Sequence, residues 1–310
     1  MDKFYIAVDV GGTQIRVALF PEEGIVPIRK EAIATSGPGK KPEDRILELV
    51  SKLWPPQGSV AGIGVAAPGP LDPKTGTIIS APNIPGWVNL PLRQLITTRF
   101  GVPVTLGNDA NLAAYGEWIY GAGQGHHDLV YLTISTGIGG GVILDDRLLL
   151  GDRGLATELG HITIIPDGPL CGCGQRGHLE AISSGTGIAN FVAEEMAKGG
   201  PSTLPANPPP TSKAICKAAY AGDPLANLAF QRAGSYLGLA LASFIHIFNP
   251  TIIICGGGVS SSGELLFAPV RASMEEHVMD GEYLKNMSLT TASLGGESGL
   301  LGALAMSRSL

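Results

Sequence analysis

Apolar positions recur along this chain in two rhythms. Short apolar runs at residues 4–10, 15–20, 60–66, 102–106, 129–134, 142–144 and 251–255 predict β-strands. Residues 42–54 carry Ile46, Leu49, Val50 and Leu53 at helical spacing and predict an amphipathic helix. Further helices are expected over 112–119, from the Ser183-Ser184-Gly185-Thr186 lead up to residue 198, over 224–248 after Asp223-Pro224, and over 299–306. Asn249-Pro250 stops the long one, and Pro68-Gly69-Pro70 ends the 60–66 strand. Residues 80–92 read as a loop, where Asn83 and Trp87 suit a ligand wall and a core-capping aromatic equally well. Residues 199–212 hold five prolines and read as a surface loop.

Glycine clusters sit at three strand ends. The first strand closes with Asp9-Val10-Gly11-Gly12-Thr13 before the next begins, so a tight hairpin with positive φ at both glycines is expected. Bare amides and the Thr13 hydroxyl at its tip suit an anion, and Asp9 suits magnesium held through water. A carboxylate ending a core strand is costly without such a role. Ser135-Thr136-Gly137-Ile138-Gly139-Gly140-Gly141 repeats this arrangement, which points to an internal duplication with one phosphate-facing hairpin per half. Gly256-Gly257-Gly258 is the third cluster. The Rossmann fingerprint and the Walker loop are both missing, and the first tip joins strand to strand. Gly107-Asn108-Asp109-Ala110-Asn111 joins a strand to a helix. Its Asp109 is first of all an N-cap candidate and secondly a general base at the carboxyl end of a central strand; position alone favours the cap.

Composition narrows the class. At 310 residues, two domains are the default. A hydrophobic content of 44% with 15% charged residues describes a globular protein, and 44 glycines imply many turns that approach something closely. A net charge of -6 argues against a general nucleic-acid binder. The N-terminus has no signal-peptide pattern, and the longest apolar stretch, 237–248, contains His246 and falls short of the about 20 residues that span a bilayer. Cys216 and Cys255 are isolated and read as buried thiols. The expected compartment is therefore the cytoplasm, without membrane or nucleic-acid partners.

Residues 158–180 concentrate the reactive side chains. Glu158, His161, Cys171, Cys173, His178 and Glu180 fall in one segment rich in Gly and Pro. Two thiols and two imidazoles suit tetrahedral zinc, so His161, Cys171, Cys173 and His178 are the candidate ligands of a structural metal. Glu158 and Glu180 are then polar arms held beside it.

In this order the motifs resemble the ROK family, which comprises repressors, unidentified reading frames and sugar kinases, and the resemblance covers essentially the whole chain. Asp9-Val-Gly-Gly-Thr13 and Leu132-Thr133-Ile-Ser-Thr136-Gly137-Ile-Gly-Gly140 are similar to its two phosphate motifs, and Cys255-Gly256-Gly257-Gly258-Val-Ser260 to its adenosine motif. Gly107 to Asn111 matches its catalytic-aspartate segment; Glu158-Leu-Gly-His161 and the Cys171-to-Glu180 run match its sugar and zinc signature. The family pattern carries a Cys where this chain has His178, so a Cys2His2 set replaces Cys3His; zinc accepts both.

The resemblance implies a two-domain actin/hexokinase-like ATPase fold of duplicated ribonuclease-H-like α/β domains with a cleft between them. Residues 1–117 plus 297–310 would form the smaller domain and 118–296 the larger, zinc-bearing one. It also implies ATP-dependent phosphorylation of a hexose 6-hydroxyl, most simply glucose, in a homodimer or homotetramer. Asp109 would be the base. Gly69, Asn83, Asn108, Asp109, Glu158, His161 and Glu180 would hold the sugar, with His161 also on zinc. Asp9, Gly11, Gly12, Thr13, Thr136, Gly137, Gly256, Gly257 and Gly258 would hold ATP and Mg2+. Other hexoses and a polyphosphate donor stay within this frame, and a non-catalytic sugar sensor is the rival reading. Repressor members carry a helix-turn-helix ahead of the first phosphate motif; that motif begins here at Asp9, so the kinase branch is expected.

Overall fold

The computed structural model describes residues 2–310. The chain opens with β1 (Lys3–Val10), β2 (Gln14–Pro21), β3 (Arg29–Ala34), α1 (Pro42–Leu53) and β4 (Ser59–Ala67). Short strands β5 (Leu71–Asp72), β6 (Thr77–Ser80) and β7 (Val88–Leu90) follow, then α2 (Leu92–Phe100), β8 (Val104–Asn108) and α3 (Asp109–Tyr120). The second half begins with β9 (Leu129–Ile134), β10 (Ile138–Leu144) and β11 (Arg147–Leu148). It continues through α4 (Leu179–Ser183), α5 (Gly185–Ala197), α6 (Ser212–Tyr220), α7 (Pro224–Phe248), β12 (Ile252–Gly256), α8 (Glu264–His277), β13 (Ser288–Thr291) and α9 (Ser298–Arg308).

Two five-stranded sheets carry the same topology. Their orders are β3-β2-β1-β4-β8 and β11-β10-β9-β12-β13. In each, the first three strands pair antiparallel and the last two add in parallel. The duplication read from the two glycine tips is thus present in the whole sheet. One core joins β1, β2 and β4 to α1 and α2 through Ile6, Val17, Ile63, Ile46 and Ile96. The other joins β9, β10 and β12 to α7 and α8 through Leu132, Val142, Ile253, Leu241 and Val270.

Several expectations need correction. Residues 80–92 are only partly loop, because β6 and β7 pair there in a third, three-stranded sheet. Trp87 is a core residue, 1% exposed, and its indole N–H donates to Glu43 at 3.0 Å. Gly139, Gly140 and Gly141 lie inside β10, not at its tip, since a side chain there would collide with Ala110, Leu159 or Ala114. Helices α2, α6 and α8 gave no clear sequence signal. The long helix behaves as read: Asp223 caps α7 by accepting from Ala226 N at 2.9 Å. Its carboxylate also accepts from Ser202 and Thr203, which fastens the proline-rich loop.

Helix α3 is the joint of the molecule. It packs on α9 on one side and on β9 and β10 on the other. At its far end Glu117 is fully buried and accepts from Ala122 N, Ser293 N, Ser293 Oγ, Leu294 N and Ser298 Oγ at 2.8–3.2 Å. One carboxylate thereby ties the end of α3 to the segment that leads back into α9. Removing it strands several buried donors, each costing about 1–3 kcal/mol. Glu117→Ala is expected to lose about 3 kcal/mol or more in chemical denaturation; a loss under 1 kcal/mol would show that water replaces the carboxylate there.

Candidate active site

The carboxyl ends of both central strand pairs face one another across a cavity of about 670 Å3. Gly12, Thr13, Gly69, Asn83, Asn108 and Asp109 line it from the first sheet's side. Thr136, Gly137, Glu158 and Glu180 line it from the second. Ten residues marked in the sequence therefore meet in one place, although up to 168 positions separate them.

The division of labour at Asn108 and Asp109 reverses the propensity argument. Asn108 is the N-cap of α3 and accepts from Ala110 N at 3.0 Å and Asn111 N at 3.2 Å. Asp109 is thus the first helical residue, with only Ala110 N donating to it at 2.8 Å, and its second oxygen is left for a ligand. Burial is the main influence on its acidity, and the Asp9 and Glu158 carboxylates act in the same direction. The Ala110 N–H works against them, and the net effect lifts Asp109 to about 6. A carboxylate so placed is a stronger base than a solvated one and is still ionised at neutral pH.

Neither Gly11 nor Gly12 takes positive φ, so the hairpin uses its glycines for space rather than for turning. A side chain at Gly12 would press on Asn83 at 3.3 Å. A side chain at Gly137 would overlap the carboxylate of Glu180, which accepts from Ile138 N at 2.9 Å. Both tips are bare so that polar side chains from elsewhere can reach them. Gly11 itself stays out of the cavity walls; its carbonyl accepts from the buried Thr35 hydroxyl at 2.6 Å, which steadies the hairpin. The second tip is held by the start of α5, where Gly185 N donates to Ser135 O at 2.7 Å.

Two further cavities adjoin the first through Ser135. One, of about 480 Å3, contains Asp9, Arg16, Asp109, Gly257 and Gly258. The other, of about 960 Å3, is walled by Ala189, Cys216, Tyr220, Phe230 and Val259, with Lys213 and Lys217 at its side. Cys216 is half-buried there, not the closed structural thiol expected from sequence. Gly257 has φ +87 and lies against the Ile134 carbonyl, a place only glycine fills. Gly256 faces Tyr131 inside the sheet and lines none of the three.

Arg16 was not marked in the sequence, although hairpin register predicts it: Asp9 and Arg16 are cross-strand partners. The Arg16 guanidinium grips one oxygen of Asp9 and reaches Glu297 at 3.2 Å. Asp9 and Asp109 with one guanidinium between two lobes leave a net negative site, which suits a hard cation carrying phosphate oxygens.

His161, Cys171, Cys173 and His178 place one ligand atom each within 4.8 Å of one another. The two Nδ1 atoms are 3.3 Å apart, Cys171 Sγ is 3.7 Å from His161 Nδ1, and Cys173 Sγ is 3.2 Å from His178 Nδ1. A tetrahedron of zinc bonds at 2.0–2.3 Å has edges of about 3.3–3.8 Å, so the donor set fits zinc. His161 is turned towards this cluster and does not line the 670 Å3 cavity. Glu180 bridges the two regions, since its other oxygen accepts from Cys171 Sγ at 3.4 Å.

Doubled sheets with two bare glycine tips and a polar cavity between them define an actin-like ATPase fold. The ROK family model matches residues 5–309, and the chain belongs to the ROK family. It is 37% identical over 307 residues to the glucokinase of Thermotoga maritima, covering 96% of this chain and 95% of that protein. The crystal structure of a ROK family glucokinase from Streptomyces griseus in complex with glucose and AMPPNP superposes with a TM-score of 0.82 at 36% identity, covering 99% of this chain and all of that one. A xylose repressor from Caldicellulosiruptor bescii is 30% identical over 310 residues, covering 97% of this chain and 77% of the repressor.

Proposed function

We propose that this protein is a glucokinase, transferring the γ-phosphoryl group of ATP to the 6-hydroxyl of glucose. The observation that carries the reading is Asp109, half-buried at the meeting point of a polar cavity of about 670 Å3 and two bare glycine tips. Glu158, Glu180, Asn83 and Asn108 present acceptors and amides suited to sugar hydroxyls, and a carboxylate can accept from two hydroxyls at once. Gly69 lets the backbone come close. Once a bound sugar covers these groups, an epimer that left one of them unpaired would lose about 1–3 kcal/mol, which is how such a site discriminates.

Asp109 takes the 6-hydroxyl proton as that oxygen attacks the γ-phosphorus and the bond from phosphorus to the β,γ-bridging oxygen breaks, with ADP leaving. Gly12, Thr13, Thr136 and Gly137 hold the transferring phosphates at the tips, while Gly257 and Gly258 lie where the nucleoside leaves the apolar cavity. Asp9 would hold magnesium arriving with ATP, and the ion would supply neutralisation of charge on the phosphates. Arg16 keeps Asp9 in place for it. Zinc on His161, Cys171, Cys173 and His178 serves as a brace for Glu158 and Glu180. His161 is assigned to this brace through Nδ1.

Closure would bring residues 1–117 with 297–310 against residues 118–296 and exclude water. Among the described residues no helix is long and apolar enough to cross a membrane. We place the enzyme in the cytoplasm, beside its ATP, as a homodimer or homotetramer. The similarity to a xylose repressor favours a second reading, a sugar sensor using the same cleft. An ADP-release assay over a panel of hexoses, with ATP and with polyphosphate, separates the two. Turnover is expected with ATP, fastest on glucose. Binding of glucose without turnover on any sugar would establish the sensor.

A further inference from the structure

One residue between the two marked carboxylates is held in a backbone conformation its type disfavours. Thr157 has φ +67, the left-handed region that suits glycine and is a true outlier for a β-branched side chain. It precedes Glu158 directly and lines the same cavity. Such outliers persist where the surroundings over-determine them, and they gather at functional sites.

The surroundings do so here. The Thr157 hydroxyl lies 2.8 Å from Asn111 Oδ1 and donates to it, with the Ala156 carbonyl at 2.6 Å as a second acceptor for the same proton. Leu159 N donates to Thr157 O at 2.8 Å, and His161 N to Glu158 O at 3.0 Å, so the turn that aims Glu158 starts from this residue. Asn111 is itself 3% exposed and stands in the first turn of α3, two positions after Asp109. The Thr157–Asn111 bond therefore ties the loop bearing Glu158 to the helix bearing Asp109. No other hydrogen bond among the described residues links these two segments.

We infer that Thr157 and Asn111 form a strut that sets the separation of Glu158 from Asp109, making Thr157 a positioning residue for the sugar. The inference rests on the hexose-kinase reading. Neither strut residue takes part in the proton transfer; both fix where the hydroxyl acceptors stand when the sugar arrives. The strained backbone is the cost of that placement, and the Asn111 bond is what holds it.

Three variants test the strut. Thr157→Val keeps the branched side chain and the strain but loses the hydroxyl. Its KM for glucose is expected to rise about tenfold or more, with the KM for ATP unchanged within about twofold. Thr157→Ser keeps the hydroxyl and is expected to hold the glucose KM within about threefold of the parent. Thr157→Gly relieves the strain and loses the bond, so it should melt at a higher temperature than Thr157→Val yet share its KM defect. That split is what a merely structural role would not produce. A Thr157→Val enzyme with an unchanged glucose KM would overturn the inference, as would a KM that simply follows melting temperature across the three. If the parent protein phosphorylates no hexose, the kinase reading has failed, and the strut is then judged on glucose affinity by calorimetry in the same variants, with the same pattern expected.

Discussion

Replacing Asp109 by Asn is expected to cut turnover about 100- to 10,000-fold, the usual contribution of a positioned base, while glucose still binds. The amide preserves size and most hydrogen bonding but cannot take the hydroxyl proton. Calorimetric titration with glucose and a coupled assay on the same preparation separate binding from chemistry. Near-normal turnover would remove Asp109 from its role. The same substitution is expected to stabilise the fold. Burial, with Asp9 and Glu158 nearby, lifts the Asp109 carboxyl to about 6 from an unfolded value near 3.8. The folded state therefore binds this proton more tightly than the unfolded chain does. Its contribution to stability declines as pH rises from about 4 to about 6, reaching a cost of at most about 3 kcal/mol at neutral pH. Asp109→Asn lacks that cost, so its denaturation midpoint at pH 7 should exceed the parent's, and the gap should close near pH 4. The pH profile of kcat/KM should fall on the acid side with an apparent pKa near 6, shifted by any magnesium nucleotide bound beside the carboxylate.

Zinc removal is expected to have the second largest effect. The purified protein should contain one zinc per chain. Stripping it with a chelator leaves two imidazole nitrogens 3.3 Å apart and two thiols with nothing between them, in a loop that has little core of its own. Metal bound a thousandfold above its dissociation constant contributes about 4 kcal/mol to folding, and that amount is lost with it. The damage should reach the sugar, because His178 immediately precedes α4 and Glu180 lies in its first turn. Melting temperature and glucose affinity are expected to fall together and to return together on adding zinc. Metal-free protein with full glucose affinity would sink the brace. His178→Cys, which restores the more usual ligand set, should retain one zinc.

Much of this site was legible because its chemistry sits in short contiguous motifs. Both glycine tips, the Gly107-to-Asn111 segment and the His161-to-His178 donor run are contiguous in sequence, and the structure brings the tips and that segment to one cavity and the four donors to one cluster, while the sheet topology makes the implied duplication explicit. What escaped depended on one-residue registers or on distant packing. Asn108 and Asp109 are both good caps, so the choice between them is set by where β8 ends, not by propensity. Gly139 to Gly141 look like a loop because the residues that require their smallness, Ala110 and Ala114 of α3 and Leu159, lie elsewhere in sequence. Arg16 needed the hairpin register. Glu117 and Thr157 have no local signal, because each acts through partners far along the chain.

The glycines that pack α3 and α9 against each other and against the two sheets carry an evolutionary consequence. A side chain at Gly302 would overlap the Leu112 carbonyl, one at Gly64 the Ala303 carbonyl, and one at Gly116 the Ser298 carbonyl. Gly141, on the other side of α3, has Ala114 in the way. At Gly302, Gly64 and Gly116 the backbones touch directly, so there is no side chain through which a neutral substitution could drift. In a saturation library, intolerance should run as a seam from Gly64 across α9 and α3 to Gly141, as deep as that at Asp109. The joint of the molecule would then appear in a fitness map as a second active site that performs no chemistry.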